Sequence, residues 1–330
     1  MKKYKICKIL LVILAIFLCV AFYELLGICV AYKKQPEVSN TTKKETKNGS
    51  WNECSENTER AVIIEKNPEA LLQRVRLIKN AKKEIILSTF AFQSDESGKL
   101  ILGALHDAAD RGVHIRLLVD GMESWIDMEG NPYFYGLSSH ENVEIKLYNK
   151  ANPLKPWKMM GRMHDKYLIA DGKRYILGGR NTYNYFLGDF PGHKNYDRDV
   201  LVVCDEPKKE NSVNQLLEYF ETIWEQEDSG YFHDNKKLAN RKSVKNAVLE
   251  LQNGYQKYFE ENKERICDTD YTDETFETEK IALVSNPIHT GSKEPVVWYQ
   301  LGELMKNAKK RVKIHTPYII CNDMMYNTWG

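Results

Sequence analysis

The segment KNAKKEIILSTFAF at 79–92 returns as KNAKKRVKIHTPYI at 306–319, with Lys79, Asn80, Ala81, Lys82, Lys83 and Thr89 recurring at a constant offset of 227. A lone KNAKK is an ordinary helix end. Followed both times by a strand-like run with the same Thr, it argues for two copies of one unit, which restricts the fold more than composition can. The match reaches upstream, since Asn67-Pro68 has a counterpart in Asn286-Pro287 with eight extra residues in between.

Within the first copy the patterning alternates. Asn67-Pro68-Glu69 has the form of a helix start, with Asn67 as cap and Pro68 in the first turn, and Leu71, Val75, Ile78 and Ala81 follow at helical spacing. EIILSTFAF reads as a strand, Leu100, Ala104, Leu105 and Ala108 as a helix ending near Gly112, and HIRLLVDG as the next strand. Strand, helix, strand in this order implies a parallel sheet covered by helices. The opening segment, VEIKLY (143–148) and VLVVCD (200–205) add strands, and Val213, Leu216, Leu217, Phe220, Ile223 and Trp224 form an amphipathic covering helix. From Leu238 to Ile266 a long charged helix carries Val244, Val248, Leu251, Tyr255 and Tyr258 on one stripe, as a helix packed by one face does.

Ahead of this lies an apolar run from Ile9 to Tyr32, interrupted by one charge at Glu24 and preceded by Lys2, Lys3, Lys5 and Lys8. Its 24 residues are enough to span a bilayer as a helix. No small-x-small cleavage site follows, which favours an uncleaved anchor over a signal peptide. Lys33, Lys34, Lys43, Lys44 and Lys47 offset the lysines on the other side and leave the orientation open. The expected organisation is a membrane anchor at 1–35, a polar flexible linker at 36–60, a first domain at 61–270 and the start of a second at 271–330.

The formal net charge of the 330 residues is only +1, which makes nucleic acid an unlikely default partner. Of seven cysteines, Cys54, Cys204, Cys267 and Cys321 stand far apart and outside the anchor, with no C-x-x-C pair, so metal-site spacing is absent.

The chemistry concentrates in MHDKYLIADGKRYILGGRN at 163–181. MHDKYLIADG alternates as a strand, with His164, Lys166 and Leu168 on one face and Asp165, Tyr167 and Ile169 on the other. An imidazole and an ammonium side by side are costly to bury without an anionic partner. Asp171-Gly172 is a tight-turn signal, RYILGG a short returning strand, and Gly178-Gly179 lets the backbone pass close to its neighbour while Asn181 supplies amide donors. One His, one Lys and one Asn amide converging describe a phosphate site, with a nucleophile or acid/base and donors for non-bridging oxygens.

His164-x-Lys166-x4-Asp171-x6-Gly178-Gly179-x-Asn181 resembles the HKD motif of the phospholipase D superfamily, with every spacing matched, and the resemblance covers roughly residues 60 to 330. It implies an α/β fold, an α-β-α sandwich unit present as one complete copy plus the start of a second, behind the N-terminal transmembrane helix. It also implies roles. His164 attacks phosphorus to form a phosphohistidine, Lys166 and Asn181 hold phosphoryl oxygens, and neither metal nor other cofactor is needed. Asp171 belongs to the motif and fixes the turn more than it touches substrate. Asp199, in NYDRDVLVV, matches the acid that orients the nucleophilic imidazole, with Asp197 as the alternative.

In this family a second copy of the motif completes the site, and its His protonates the leaving group. At the offset of 227 that copy would fall near position 391, beyond Gly330. The resemblance therefore implies that the other half comes from a longer chain or from a homodimer, and that this polypeptide alone is weak or inactive. His315 aligns with Ser88, so it is no substitute for the second motif's His, although it could line the cleft. The anchor, the near-neutral charge and the Gly-Gly motif followed by Tyr183 and Tyr185 favour a cardiolipin-synthase-like phosphatidyltransferase at the membrane acting on a phosphatidylglycerol-like lipid. A phospholipase D hydrolase, a metal-independent nuclease and an inactive anchored scaffold are the alternatives. KPWKMMGRM, just before His164, suits a membrane-facing rim or a plain surface loop.

Overall fold

The computed structural model describes residues 2–33, 36–49, 59–233, 235–314, 316 and 326. The apolar N-terminal run is one helix, α1 (Lys2–Tyr32), of 31 residues. An 18-residue window within its Tyr4–Tyr32 stretch has a mean hydropathy of 2.9, and the helix is long and apolar enough to cross a bilayer. A second helix, α2 (Asn40–Lys47), occupies part of the expected linker, because the Ser39 hydroxyl accepts from the Thr42 N–H and caps it.

The chain then runs through β1 (Arg60–Ile64), α3 (Asn67–Asn80), β2 (Glu84–Thr89), α4 (Glu96–Asp110) and β3 (His114–Asp120). Next come α5 (Gly121–Asp127), α6 (Pro132–Ser138), β4 (Val143–Tyr148), β5 (Tyr167–Ala170), β6 (Arg174–Gly178) and β7 (Asp199–Val203). It finishes with α7 (Ser212–Trp224), β8 (Ser229–Tyr231), α8 (Lys242–Glu261), α9 (Lys263–Cys267), β9 (Phe276–Glu277) and α10 (Val296–Asn307).

The nine described strands form one sheet in the order β8-β4-β3-β2-β5-β6-β7-β1-β9. Only β2, β3 and β4 run parallel, as the helix crossovers require. The rest is antiparallel, so the sheet is mixed where the strand-helix-strand pattern alone predicts a parallel one. The reason is local. Asp171 (φ 54°) and Gly172 (φ 64°) both take the left-handed backbone of a type I′ turn, which folds β6 straight back on β5.

Alternate residues fill the two faces. Ile85, Leu87, Ile115, Leu117, Val119, Val143, Ile145 and Leu147 join the main core, in a layer where α4 packs on α3, α6 and α8. On the other face α7 lies across Tyr167 through Tyr219 and Phe220, and Glu221 receives the Arg116 guanidinium at 2.6 and 2.8 Å. The long charged pattern is broken at Asn262 into α8 and α9, and Val244, Ala247, Leu251, Tyr255 and Phe259 are its buried stripe.

Three expectations are corrected here. Asn67 is not a cap: it lies inside α3, and its side chain donates to the Asn195 carbonyl at 2.9 Å and accepts from Arg180 Nε at 3.2 Å. The linker is not structureless, as α2 shows. The first domain runs past 270, because residues 162–281 and those up to 152 form one compact unit. Arg76 holds that extension, donating to Glu274 at 2.9 and 3.0 Å and to the Asp268 and Asp270 carbonyls while stacking 3.9 Å from the Tyr271 ring.

The other unit contains α1, α2, residues 153–161 and the described residues from 282 to 314. In it Tyr23 donates to the Leu154 carbonyl at 3.0 Å, Tyr32 to the Thr290 carbonyl at 2.8 Å, and the Ser39 N–H to Glu294 at 2.8 Å. The repeat is visible as local structure: α3 and α10 both end on the Asn of KNAKK, and Ala81 (φ −62°, ψ 139°) and Ala308 (φ −62°, ψ 130°) leave the helix in the same extended conformation. Residues 311–314 form no strand, and His315, 317–320, Cys54 and Cys321 lie outside the described residues.

Candidate active site at the head of strands β5 and β6

Burial of β5 on both faces forces the polar residues of the motif to its ends. At one end sits Asp171, whose carboxylate accepts from the backbone N–H groups of Lys82 (2.9 and 3.1 Å), Lys83 (2.7 Å) and Glu84 (3.0 Å). It locks the KNAKK corner to the β5–β6 turn. Asp171 therefore stands at the opposite end of β5 from His164, and the structure gives it a framework role. Asp171→Ala is expected to lower stability by about 2 kcal/mol through those lost charge-assisted bonds, read as a denaturant midpoint, with the rate per folded molecule unchanged.

At the other end the backbone pairs Gly178 N–H with the Lys166 carbonyl at 3.1 Å, which sets the two halves of the motif side by side. His164 is exposed and its ring lies 4.4 Å from that of Phe90, at the end of β2. Asn181, buried, accepts from the N–H of the next residue, Ala91, at 3.2 Å, which fixes its Oδ1 as the acceptor and leaves its NH2, near the Tyr183 hydroxyl, as the donor. His164, Lys166 and Asn181 thus converge on the Phe90-Ala91 segment. Lys166 Nζ is 2.9 Å from His164 Nδ1 and 2.5 Å from the His164 carbonyl oxygen. Because an ammonium only donates, this contact holds the imidazole neutral with Nδ1 as acceptor and the proton on Nε2.

Electrostatics follow from burial. Desolvation, helped by the Lys166 charge, holds the His164 imidazole below its usual pKa, against the opposing pull of Asp165 and Asp120. Desolvation pushes Lys166 down to about 8, against Asp165, Asp197 and Asp120. Asp165 itself faces α7 and accepts from the Tyr219 hydroxyl at 2.7 Å.

The two glycines make room for two carboxylates. A Cβ on Gly178 would stand 2.0 Å from Asp199 Oδ1, and one on Gly179 would stand 2.1 Å from Asp197 Oδ2. The aspartates then diverge. Asp199 is buried, and its Oδ2 takes Arg74 Nη1 at 2.9 Å and Arg180 Nη1 at 3.2 Å, both arginines being buried as well. No hydrogen bond joins it to His164 among the described residues, and its Oδ1 is buried without a hydrogen-bond partner there. Asp197 is the one of the pair whose charge acts on Lys166. The imidazole-orienting role expected of Asp199 thus has no geometric counterpart among the described residues; its Oδ2 holds the framework arginines.

Three residues at the site were not singled out in the sequence. Phe90 is hidden in an apolar run and carries no signal of its own. Asp120-Gly121, a carboxylate directly ending the apolar run of β3, and Arg162, two residues before His164 and on its face of the chain, are legible once the motif is located.

No described group of three His, Cys, Asp or Glu side chains could hold a metal ion. A family model for the cardiolipin synthase, phospholipase D-like domain matches residues 74–224. The chain is 31% identical over 212 residues to an uncharacterized protein of Helicobacter pylori strain J99, covering 60% of this chain and 39% of that one. It is 29% identical over 171 residues to cardiolipin synthase C of Escherichia coli K12, covering 48% and 34%. Among solved structures, NucT from Helicobacter pylori superposes with a TM-score of 0.41 at 16% identity, over 53% of this chain and 99% of that one. Residues 74–224, a little under half of the chain, are thus similar to the phospholipase D-like family. Within that family the chain is similar to the cardiolipin synthases, and it spans about two fifths or less of the length of the curated relatives it matches.

Proposed function

We propose that this chain carries the nucleophilic half-site of a membrane-anchored, cardiolipin-synthase-like phosphatidyltransferase. The observation that carries the reading is the convergence of His164, Lys166 and Asn181 on one backbone corner in a domain similar to cardiolipin synthases. When a lipid phosphodiester enters, a phosphoryl oxygen draws the Lys166 ammonium off Nδ1, and the imidazole acquires a free lone pair. That lone pair attacks phosphorus, the bond to the leaving alkoxide breaks, and the phosphatidyl group rests on His164. Lys166 and the Asn181 NH2 stabilise the charge that builds on the non-bridging oxygens. An alcohol acceptor then attacks phosphorus, its proton passing to the conjugate base of an acid on a second half-site, and the P–N bond breaks to release the imidazole. Anchoring by α1 keeps the half-site at the lipid surface.

Protonating the alkoxide is the task of an acid from a second half-site, so leaving-group chemistry tests the reading. The chain in phospholipid vesicles is expected to release p-nitrophenolate from phosphatidyl-p-nitrophenol, whose anion leaves unassisted, far faster than glycerol from phosphatidylglycerol. Failure on both, together with metal-independent cleavage of single-stranded DNA, would overturn the lipid assignment in favour of a nuclease.

The same site predicts a bell-shaped pH dependence. His164 must be neutral to attack, so kcat/KM rises with pH through a value below 6.5. Lys166 must be charged, so the rate falls as pH passes about 8. A profile still rising at pH 9 would contradict the assignment of Lys166 as the charged donor.

A further inference from the structure

The carboxylate of Asp120 ends β3 and is 1% exposed. It accepts from the Met163 N–H at 3.0 Å, from Arg162 Nε at 2.9 and 3.0 Å and Arg162 Nη2 at 2.6 Å, and from the Met122 and Glu123 N–H groups at 3.0 and 3.2 Å. Both residues immediately preceding His164 are therefore held by one buried side chain from another strand. Arg162 extends the grip: its Nη2 reaches Glu123 at 3.1 Å and its guanidinium lies 5.1 Å from the centre of the Phe90 ring, on which the His164 imidazole also packs. Lys166 Nζ is 5.3 Å from the same ring. One aromatic ring thus gathers the nucleophile, the phosphate donor and the arginine, and one carboxylate fixes the chain that presents them.

We propose that Asp120, with Arg162 as its partner, is a positioning residue for the His164 nucleophile. No family motif residue quoted above includes it. The inference rests on His164 being the nucleophile and adds what holds it in place. The carboxylate acts in two ways. It sets the backbone of residues 162 and 163, and so the direction of the imidazole over Phe90. It is also a fixed negative charge that favours the protonated forms of both His164 and Lys166, while Arg162 disfavours protonation of His164. The other charges facing the imidazole are Lys166 and Asp165, and Asp197 faces Lys166.

A residue that merely supports the fold would lower rate or yield without moving a titration, and the clamp predicts opposite movements from its two members. In Asp120→Asn, kcat is expected to fall at least about tenfold with KM changed less than about twofold, and the His164 titration and the acid limb of the pH profile move to lower pH. In Arg162→Gln both move to higher pH. The Asp120→Glu variant keeps the charge and is expected to leave the titration near that of the parent while still losing rate, since the carboxylate is displaced by a methylene. The His164 signal is followed by NMR in histidine-labelled full chain in micelles, assigned by its loss in His164→Gln, and thermal melting shows that each variant is folded. Shifts of the same sign in Asp120→Asn and Arg162→Gln, or unmoved titrations in folded variants, would overturn the clamp. Because the titration is read without substrate, a lipid assignment that fails while the opposite shifts appear would leave the clamp standing.

Discussion

Asp199→Ala is expected to cost about 3–5 kcal/mol of stability. The substitution strips the shared carboxylate from Arg74 and Arg180, whose side chains are 5% and 0% exposed, and leaves two guanidinium charges in the interior with neutral acceptors only. Arg180 keeps the Ile64, Glu65 and Asp197 carbonyls, and Arg74 keeps the Ala70 carbonyl. Those bonds orient the guanidiniums but do not neutralise them. In a unit of this size the loss is read as a fall in Tm of roughly 2–4 °C per kcal/mol. Adding Arg180→Met to Asp199→Ala should recover part of the loss, because the uncompensated charge and not the missing bond is the main penalty. A single variant that melts within a degree or two of the parent would show that the arginines are solvated and the cluster is not a buried ion pair.

On the proposed role of His164 as nucleophile, His164→Asn is expected to reduce turnover at least about a thousandfold while leaving the fold intact, since the substitution would remove the covalent route and not just one interaction. The imidazole is exposed and its contacts are with Phe90 and Lys166, so its loss opens no core cavity. With labelled phosphatidyl-p-nitrophenol and rapid quenching, the parent should carry an acid-labile, base-stable label and the variant none. Retention of label on the His164→Asn chain would move the nucleophile elsewhere and remove the basis of the half-site.

The opposite behaviour of these two variants, one structural and one chemical, reflects what could be read along the chain. The HKD spacing located His164, Lys166 and Asn181, and the structure brings all three to the Phe90-Ala91 corner. The Asp171-Gly172 turn was legible because two adjacent left-handed residues are a demand that few sequences meet. Asp197 and Asp199 were not separable in that way. They lie two residues apart at the start of β7 with the same chemistry, and only the neighbours divide them: Gly179 and the field of Lys166 for one, Arg74 and Arg180 for the other. The parallel-sheet expectation held for β2, β3 and β4 alone, since periodicity reports which face is buried and not which way the next strand runs. The stretch KPWKMMGRM looked like one loop, yet its residues up to Gly161 and those from Arg162 onward belong to different compact units.

What the amino-acid order determined by itself is local and periodic: the apolar span of α1, the helix-to-strand repeat, the tight turn and the motif, each set by spacing along one segment. What only the tertiary structure decided is the assignment of charges. Asp120, Arg162, Phe90, Arg74, Arg180 and Asp199 come from β2, β3, α3, β7 and the strand ends, and their partners are distant in sequence. An ionic or cation–π contact carries no period, because its energy depends on distance and burial in space. The sequence could therefore place the motif, and only the fold could show which side chains surround it.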